Sequence, residues 1–387
     1  MRRVSEYQYY EFAALDHTLD EHELAGLRAI STRASITPTG FVNTYEWGDL
    51  KADPRRLVER YFDAFLYLSN WGTHRLMLRV PAVLLDEQSA ARYCVSDAAS
   101  TWTSGEHTIV DLIAEVEDGV FEEDWSYGVG EGRLASIVPA RTQLLAGDRS
   151  LLYLAWLLCV QAGEVPDDEV EPPVPARLDR PTASVRAAAT FLRIDEDLLA
   201  VAASGSADDD DVDPLGEVGL GAWLASVPES EKDAMLLSYA VSGPYQARAQ
   251  LLTRFRAATP TPDHGGGVRR SVGVLLSQAQ ARKHDREHVA QQHRARRAAE
   301  RDRAAAVAHE KRLATLADEQ EQAWQRIDQL IAARKPAEYA AAVAMLADLR
   351  EVNRSQDRLD AYDQRVARLR LAHHRKTTFI ERLDRGH

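Results

Sequence analysis

The chain of 387 residues exceeds the usual size of one domain, and its 28% charged and 45% hydrophobic residues are typical of a globular protein with a very polar portion. The net charge of −13 is divided unevenly. Residues 1–267 hold 22 basic and 43 acidic residues, a net charge of −21, whereas residues 268–387 hold 25 basic and 17 acidic residues, a net charge of +8. We expect the acidic and basic parts to have different roles.

Two kinds of architecture are excluded early. The two cysteines, Cys94 and Cys159, are far apart in the sequence, so they build neither a disulfide framework nor a cysteine-rich zinc site. The most apolar run, residues 151–160, has roughly half of the 20 residues that a membrane-spanning helix needs. No apolar run follows Arg2 and Arg3, so no secretory signal is predicted. We expect a cytoplasmic protein without a membrane partner.

The first 72 residues mix strand and helix signals. Residues 7–12 predict a strand, and Asp20 with Glu23 predicts the capped start of a helix that ends near Ile30. Residues 35–47 predict two short extended pieces around a turn. Asp53 and the proline after it predict a second helix that ends near residues 70–72; its apolar residues, Leu57, Tyr61, Phe65 and Leu68, share one face.

Further along, residues 74–80 alternate between apolar and other side chains, which predicts a strand with one buried face. Residues 106–116 are another strand candidate, and helices take over from about Ser136. The prediction is therefore an α+β fold, with an N-terminal α/β domain over residues 1–165 that leads into helices.

The middle of the chain predicts helices that are separated by linkers and a loop. Residues 166–181 and 259–267 resemble linkers, and the aspartate-rich residues 204–214 predict a flexible loop. Residues 182–203 predict one helix, which opens a helical domain over residues 182–258.

The tail predicts one long helix from Arg270 to about Arg334, because it is rich in Ala, Arg, Gln and Glu and lacks proline. Residues 269–320 are its polar part, and residues 321–387 predict a small helical bundle. The apolar positions of that bundle recur at helical spacing: Trp324, Ile327, Leu330, Ile331, Tyr339, Val343, Leu346, Leu349, Leu359, Tyr362, Val366 and Leu369.

The polar helix carries two candidate sites. His284 and His288 fit the H-x-x-E-H pattern of a zinc protease, but their neighbours are polar, and a catalytic zinc needs a dry cavity. Eight cations could instead neutralise nucleic-acid phosphates, although four interleaved acids favour a solvated or coiled-coil helix. These cations are Arg282, Lys283, Arg286, Arg294, Arg296, Arg297, Arg301 and Arg303.

A third candidate lies in the front domain, where a loop-like segment combines polar and aromatic residues, a setting in which binding residues are common. Turn formation around one buried tryptophan is the favoured alternative. The residues are Arg33, Thr37, Asn43, Trp47, Asp49 and Lys51.

Two stretches resemble known families. Residues 31–48, 61–72 and 154–163 resemble a bacterial, often actinobacterial, family of hypothetical proteins without an assigned activity. Residues 324–384 look like the helical C-terminus of some bacterial SWIM zinc-finger proteins, whose Cys-x-Cys and Cys-x-His zinc ligands this chain lacks.

We therefore expect a non-enzymatic interaction or scaffold protein with a protein partner. Two alternatives stay open: association with nucleic acid through the basic helix 282–303, and an enzyme or ligand-binding protein with its site in the N-terminal domain. No motif predicts a cofactor.

Overall fold

The computed structural model describes residues 6–115, 132–176, 178–206, 217–242, 251, 254–255, 258 and 269–386. The chain divides into two compact units, residues 1–284 and residues 285–387. The predicted loop at 204–214 lies mostly outside the described residues, as do the predicted linker at 259–267 and much of the helical segment that precedes it.

The first unit is built on a seven-stranded antiparallel sheet with the strand order β2-β3-β1-β4-β5-β7-β6. The strands are β1 Gln8–Ala13, β2 Ser35–Thr37, β3 Gly40–Tyr45, β4 Ala64–Ser69, β5 Thr73–Pro81, β6 Ala99–Ser104 and β7 His107–Glu115.

Nine helices of the described residues belong to this unit. They are α1 Glu21–Ile30, α2 Pro54–Arg60, α3 Glu87–Ala91, α4 Arg133–Ala146, α5 Ser150–Gln161, α6 Ala183–Phe191, α7 Glu196–Ala203, α8 Glu217–Ser226 and α9 Glu229–Ser242. The α+β prediction is confirmed.

The sheet is buried on both faces because alternate residues of its central strands enter two different cores. Phe12 and Phe65 stack at 4.4 Å in an aromatic core beneath α1 and α2. On the other face, Leu66 and Leu76 join a larger core with α4, α5 and α6. The strand at 74–80 was expected to bury one face only, yet Met77 on its other side is fully buried.

Helix α5 lies at the centre of the larger core. Every residue from Ser150 to Val160 is buried, so its continuous apolar sequence is needed for packing inside the domain. No single helix in the described residues is long and apolar enough to cross a membrane. Helices α4 and α5, which meet at 110°, pass that test only when they are taken together.

The prediction of one helix from Asp53 to about residue 72 is wrong. Asp53 does cap α2, accepting a hydrogen bond from the Arg55 amide at 2.9 Å, but the helix ends at Arg60 and β4 follows. Phe65 and Leu68 fit a helical stripe from Leu57, but they also fit a strand that is buried on both faces, where residues three apart enter different cores. Pairing of β4 with β1 and β5 decides for the strand.

The single helix predicted over residues 182–203 is also wrong. The chain forms α6 and α7 with a break between them, where Arg193 adopts a left-handed backbone with φ of 50°. The carboxylate of Asp195 then caps α7 by accepting hydrogen bonds from the amides of Asp197 and Leu198 at 2.8 and 3.0 Å.

The tail consists of helices, as expected, but the long helix is shorter than predicted. Helix α10 spans Val272–Asp318, and non-helical dihedral angles at Glu319 separate it from the next helix. The remaining helices are α11 Gln320–Ala332, α12 Pro336–Ser355, α13 Leu359–Ala372 and α14 Thr377–Gly386.

In the second unit, helices α11 to α14 enclose a core of their own. Ile327, Leu346 and Leu349 are fully buried in it, and Phe379 of α14 joins them. The hydroxyl of Tyr362 donates a hydrogen bond to the carbonyl of Leu346 at 2.8 Å inside this core. The helical spacing of the apolar residues therefore identified the core-facing sides of α11, α12 and α13.

Candidate functional site

Helix α10 is exposed over most of its length. Every residue from 280 to 308 is exposed except Ala290, which is half-buried. At a rise of about 1.5 Å per residue, this bare segment is about 43 Å long. Most protein helices bury one face against the rest of the fold, and this segment buries none.

The first turns of α10 are held by the first unit. Val272, Leu275 and Ala279 are buried in the larger core. Just before them, the guanidinium of Arg270 donates to both carboxylate oxygens of Glu171 at 2.8 and 3.0 Å. The helix therefore starts from a fixed point.

Glu171 is the centre of this anchor. It is only 2% exposed, and it also accepts a hydrogen bond from the Tyr153 hydroxyl at 2.8 Å. Burial alone would lower the pKa of Arg270, but its hydrogen bonds and charge pairing with Glu171 raise that pKa above its usual value. Glu171 belongs to the segment 166–181, which the sequence predicted to be a linker. This segment therefore contains a buried carboxylate that helps to hold α10.

The last turns of α10 are held by the second unit. The guanidinium of Arg312 lies 2.9 Å from Asp348, and the imidazole of His309 lies 3.1 Å from Glu351, both on α12. Leu316 packs against the bundle core. Between these two ends, none of residues 285–308 belongs to a buried core of the described residues.

The eight cations predicted as nucleic-acid ligands are not equivalent. Arg282 pairs with Asp197 at 3.4 Å, and Arg296 pairs with Glu300 at 3.0 Å on its own helix. By contrast, Arg294, Arg297 and Arg301 make no ion pair with any residue that the structure describes. Lys283, Arg286 and Arg303 are exposed on the same helix.

Helical geometry groups some of these cations on one side. Residues of a helix are rotated by about 100° each, so Arg286, Arg294, Arg297 and Arg301 fall within a sector of about 80°. We call these four arginines the arginine stripe; Lys283 lies in the same sector, about one turn before Arg286. The four acids of the segment all lie outside its sector: Asp285, Glu287, Glu300 and Asp302. Counting charges along the sequence conceals this separation.

The two predicted metal ligands point away from the arginine stripe. His284 and His288 are exposed and lie on the opposite side of α10, about 40° apart around its axis. In the part of the chain that the structure describes, no group of three or more potential ligand residues comes together. A catalytic zinc site usually has three protein ligands in a closed cavity.

The six residues predicted in the front domain form two groups. Asn43 is buried, and its amide donates to the hydroxyls of Ser31 and Tyr45 at 2.9 and 2.8 Å. Asp49 accepts a hydrogen bond from the amide of Gln8 at 2.8 Å. Asn43 therefore ties the end of α1 to β3, and Asp49 ties the loop after β3 to β1.

The other four residues lie at the surface. The tryptophan expected to be buried, Trp47, is 72% exposed, and the guanidinium of Arg33 lies 6.0 Å from its ring. Thr37 accepts a hydrogen bond from the Thr39 amide in the hairpin turn, and Lys51 is exposed. These side chains do not converge on one point.

The sequence analysis missed two tyrosines, Tyr10 and Tyr67, that lie on the same face of the sheet as Asn43. The hydroxyls of Tyr10 and Tyr67 both donate to the side-chain oxygen of Gln8, at 2.7 and 2.9 Å. Burial raises the pKa of Tyr67 to about 12 and that of Tyr10 further. Both phenols stay protonated at neutral pH and act as hydrogen-bond donors.

Two buried aspartates were also missed. Asp111 is fully buried and accepts hydrogen bonds from Arg75 at 2.8 and 2.7 Å and from Arg55 at 3.0 Å. The guanidinium of Arg55 also lies 4.9 Å from the ring of Trp102. An aspartate within the apolar run of residues 108–114 was the sequence signal for this cluster.

Asp63 is the second buried aspartate. Arg79 donates to it at 3.0 and 2.7 Å, and the backbone amides of Leu15 and Asp16 donate at 2.7 and 2.9 Å. Burial would raise its pKa, but the charges of Arg141 and Arg79 lower the pKa below its usual value. This carboxylate stays ionised and holds the elements around it together.

Among the described residues of the first unit, the buried carboxylates are thus paired with arginines, and the phenols of Tyr10 and Tyr67 remain protonated. These groups have contacts that stabilise the fold. Comparison with known proteins adds no relationship: no protein-family model, curated protein or solved structure matches the chain. The bare segment of α10 is the feature that the fold does not account for.

Proposed function

We propose that the protein is a non-enzymatic interaction protein, or scaffold, and that the exposed segment of α10 is its docking element. The observation that carries this proposal is the exposure of residues 280–308 on every side of the helix. Both ends of α10 are fixed, each within its own unit, while the part between them is left to solvent.

The energetics of helices support this reading. Helices in proteins gain most of their stability by packing an apolar face, and isolated helices are marginal in water. The bare segment has no buried face and depends on its strong helix formers, alanine, arginine and glutamine. A segment kept helical and bare is well suited to presenting side chains to another molecule.

Site-specific photo-crosslinking in the native host tests the proposal. A photoreactive amino acid replaces Gln292 on α10, and in a matched control it replaces Gln364, an exposed glutamine on α13. Both positions accept a bulky side chain because neither is packed. Two further variants carry the photoreactive residue at Ala298 and Ala304, so that the three α10 positions face directions about 120° apart around the helix. We expect a reproducible macromolecular adduct from at least one of the three α10 positions and a weaker one, or none, from position 364.

The adduct is identified after protease and nuclease digestion, so that protein and nucleic-acid partners are both detected. If none of the three α10 positions gives an adduct while the protein is present at normal abundance, α10 is only a spacer. The proposal then fails.

A further inference from the structure

We infer that the partner of α10 is the phosphodiester backbone of nucleic acid, bound by the arginine stripe without reading the base sequence. This inference rests on the proposed function, because it names the class of molecule that the docking helix binds. It is carried by the placement of the arginines around the helix, by the absence of an ion pair at Arg294, Arg297 and Arg301 among the described residues, and by the small residues in the same sector.

The dimensions of the stripe suit a polyphosphate. Arg286 and Arg301 are about 22 Å apart along the helix axis, and Arg294, Arg297 and Arg301 follow each other at about 4.5 and 6 Å. Duplex DNA carries about one negative charge per 1.7 Å of its axis, so each guanidinium has a phosphate within reach. Guanidinium groups bind phosphate oxygens through two parallel hydrogen bonds, which gives such contacts their strength.

Three of the four arginines of the stripe are available for binding. Within the described residues, Arg294, Arg297 and Arg301 have no carboxylate partner that a phosphate would have to displace. Ala290, Ala304 and Ala308 lie in the same sector of the helix, and their short side chains allow the sugar-phosphate backbone to approach closely. Arg282 and Arg296, which lie outside the sector, are already paired.

The remaining faces of the helix decide how it binds. A helix inserted into the major groove would bring Asp285 and Asp302 close to the phosphates on either side, and these like charges would repel each other. The helix therefore lies along one backbone with the stripe facing it. Phosphate contacts of this kind position a protein without giving it sequence specificity.

An acidic protein surface is the alternative partner, but the spacing of its negative charges fits the arginine stripe less well. Carboxylates on a folded surface are scattered among other groups, whereas a nucleic acid offers an unbroken row of charges that matches a row of arginines. The net charge of −21 in residues 1–267 opposes binding at low salt, but exposed charges are screened beyond about 8 Å at physiological ionic strength.

Fluorescence anisotropy with the full-length protein and a labelled mixed-sequence DNA duplex tests the inference. With four phosphate contacts, the slope of log affinity against log salt is about −3.6, so affinity falls about 100-fold between about 50 and 200 mM salt. A duplex of different sequence and a double-stranded RNA should bind within about threefold of the first duplex, because only the backbone is contacted.

Two double variants provide the matched comparison. R294Q/R297Q removes two charges from the stripe, and R296Q/R303Q removes two charges from the same helix outside the stripe. Glutamine and arginine have similar helix propensities, so both variants keep the helix. We expect the first to lower affinity at least about tenfold and to reduce the slope to about −1.8, and the second to change affinity less than about threefold.

Each contrary outcome is decisive. Equal losses in the two double variants would show that charge alone attracts the duplex, and the stripe would not be a site. Polyglutamate that competes as well as unlabelled duplex would make an acidic protein the partner. Either result overturns the nucleic-acid inference, while a protein adduct at position 292 would still support the docking role of α10.

Discussion

The sheet of the first unit and the bare segment of α10 use charged residues in opposite ways. In the sheet, Asp63 and Asp111 are fully buried, and each is held by arginines at hydrogen-bond distance. In the bare segment, Arg294, Arg297 and Arg301 are exposed. A buried charge is tolerated only when its partners are complete, whereas an exposed charge is free to serve a partner from outside.

This contrast separates residues that stabilise the fold from residues that are available for binding. Removing one member of a buried pair leaves the other without compensation, which costs much of the stability of a domain. Removing an exposed arginine changes stability little. The five predictions that follow test this contrast, beginning with the largest expected effect.

The substitution Asp63→Asn should produce the largest loss. It leaves Arg79 and Arg141 without their buried carboxylate, and breaking such a pair costs about 3–5 kcal/mol of unfolding free energy. Denaturant unfolding of the first unit measures the loss, with Glu21→Gln as an exposed control. A change below about 1 kcal/mol would mean that the network does not stabilise the fold.

The loss caused by Asp63→Asn should also depend on pH. The pKa of Asp63 is lower in the folded state, so its ionised form stabilises the fold fully above its unfolded pKa of about 3.9. As pH falls through the folded pKa, the carboxylate becomes protonated and the difference between wild type and variant shrinks. A difference that grows with acidification would contradict this assignment.

The substitution Glu171→Gln should weaken the anchor of α10 by about 3 kcal/mol. Arg270 would lose its carboxylate, and Tyr153 would lose its charged acceptor. Amides of residues 272–279 should then exchange hydrogen faster, which mass spectrometry detects. Glu169→Gln is the control, since Glu169 is exposed. Equal hydrogen exchange in both variants would show that Glu171 does not anchor α10.

The substitution Tyr362→Phe should cost about 1 kcal/mol, the usual value for one buried hydrogen bond. Because the bundle is a separate compact unit, the loss should lower the midpoint of its own unfolding transition and leave the transition of the first unit unchanged. Tyr239→Phe, at an exposed tyrosine, is the control. A single transition shifted as a whole would show that the two units unfold together.

The variant R294Q/R297Q should change the free energy of unfolding by less than about 0.5 kcal/mol, because its two arginines make no contact that the fold needs. Thermal unfolding followed by circular dichroism measures this. A larger loss would place these arginines among the stabilising residues and remove the contrast with Asp63.

The sequence predicted the tail better than the sheet. Apolar residues such as Ile327, Leu346 and Val366 repeat at helical spacing, and local spacing is sufficient to identify the buried side of a helix. Strand β4 was missed because Phe65 and Leu68 fit a helical stripe as well as a strand that is buried on both faces. The pairing of β4 with β1 also involves residues more than 50 positions away. Pairing over such a distance is set by the tertiary fold.

The buried charge networks could not be predicted from the sequence for a related reason. Arg141 contacts Asp16 across 125 positions, and Arg79 contacts Asp63 across 16, so no local spacing links them. The arginine stripe is different. Its placement follows from the rotation of about 100° per residue along a helix. The count of eight basic and four acidic residues did not show that four arginines share one side of the helix, but a helical projection of the same residues does.

Hydrogen exchange of the full-length protein, at a concentration where it is monomeric, tests most directly whether α10 is bare. We predict that the amides of residues 286–305 exchange orders of magnitude faster than those of the buried helix α5, because only local unfolding is needed to expose them. Protection of residues 286–305 equal to that of α5, in the protein alone, would show that this segment is packed and would contradict its role as a docking element.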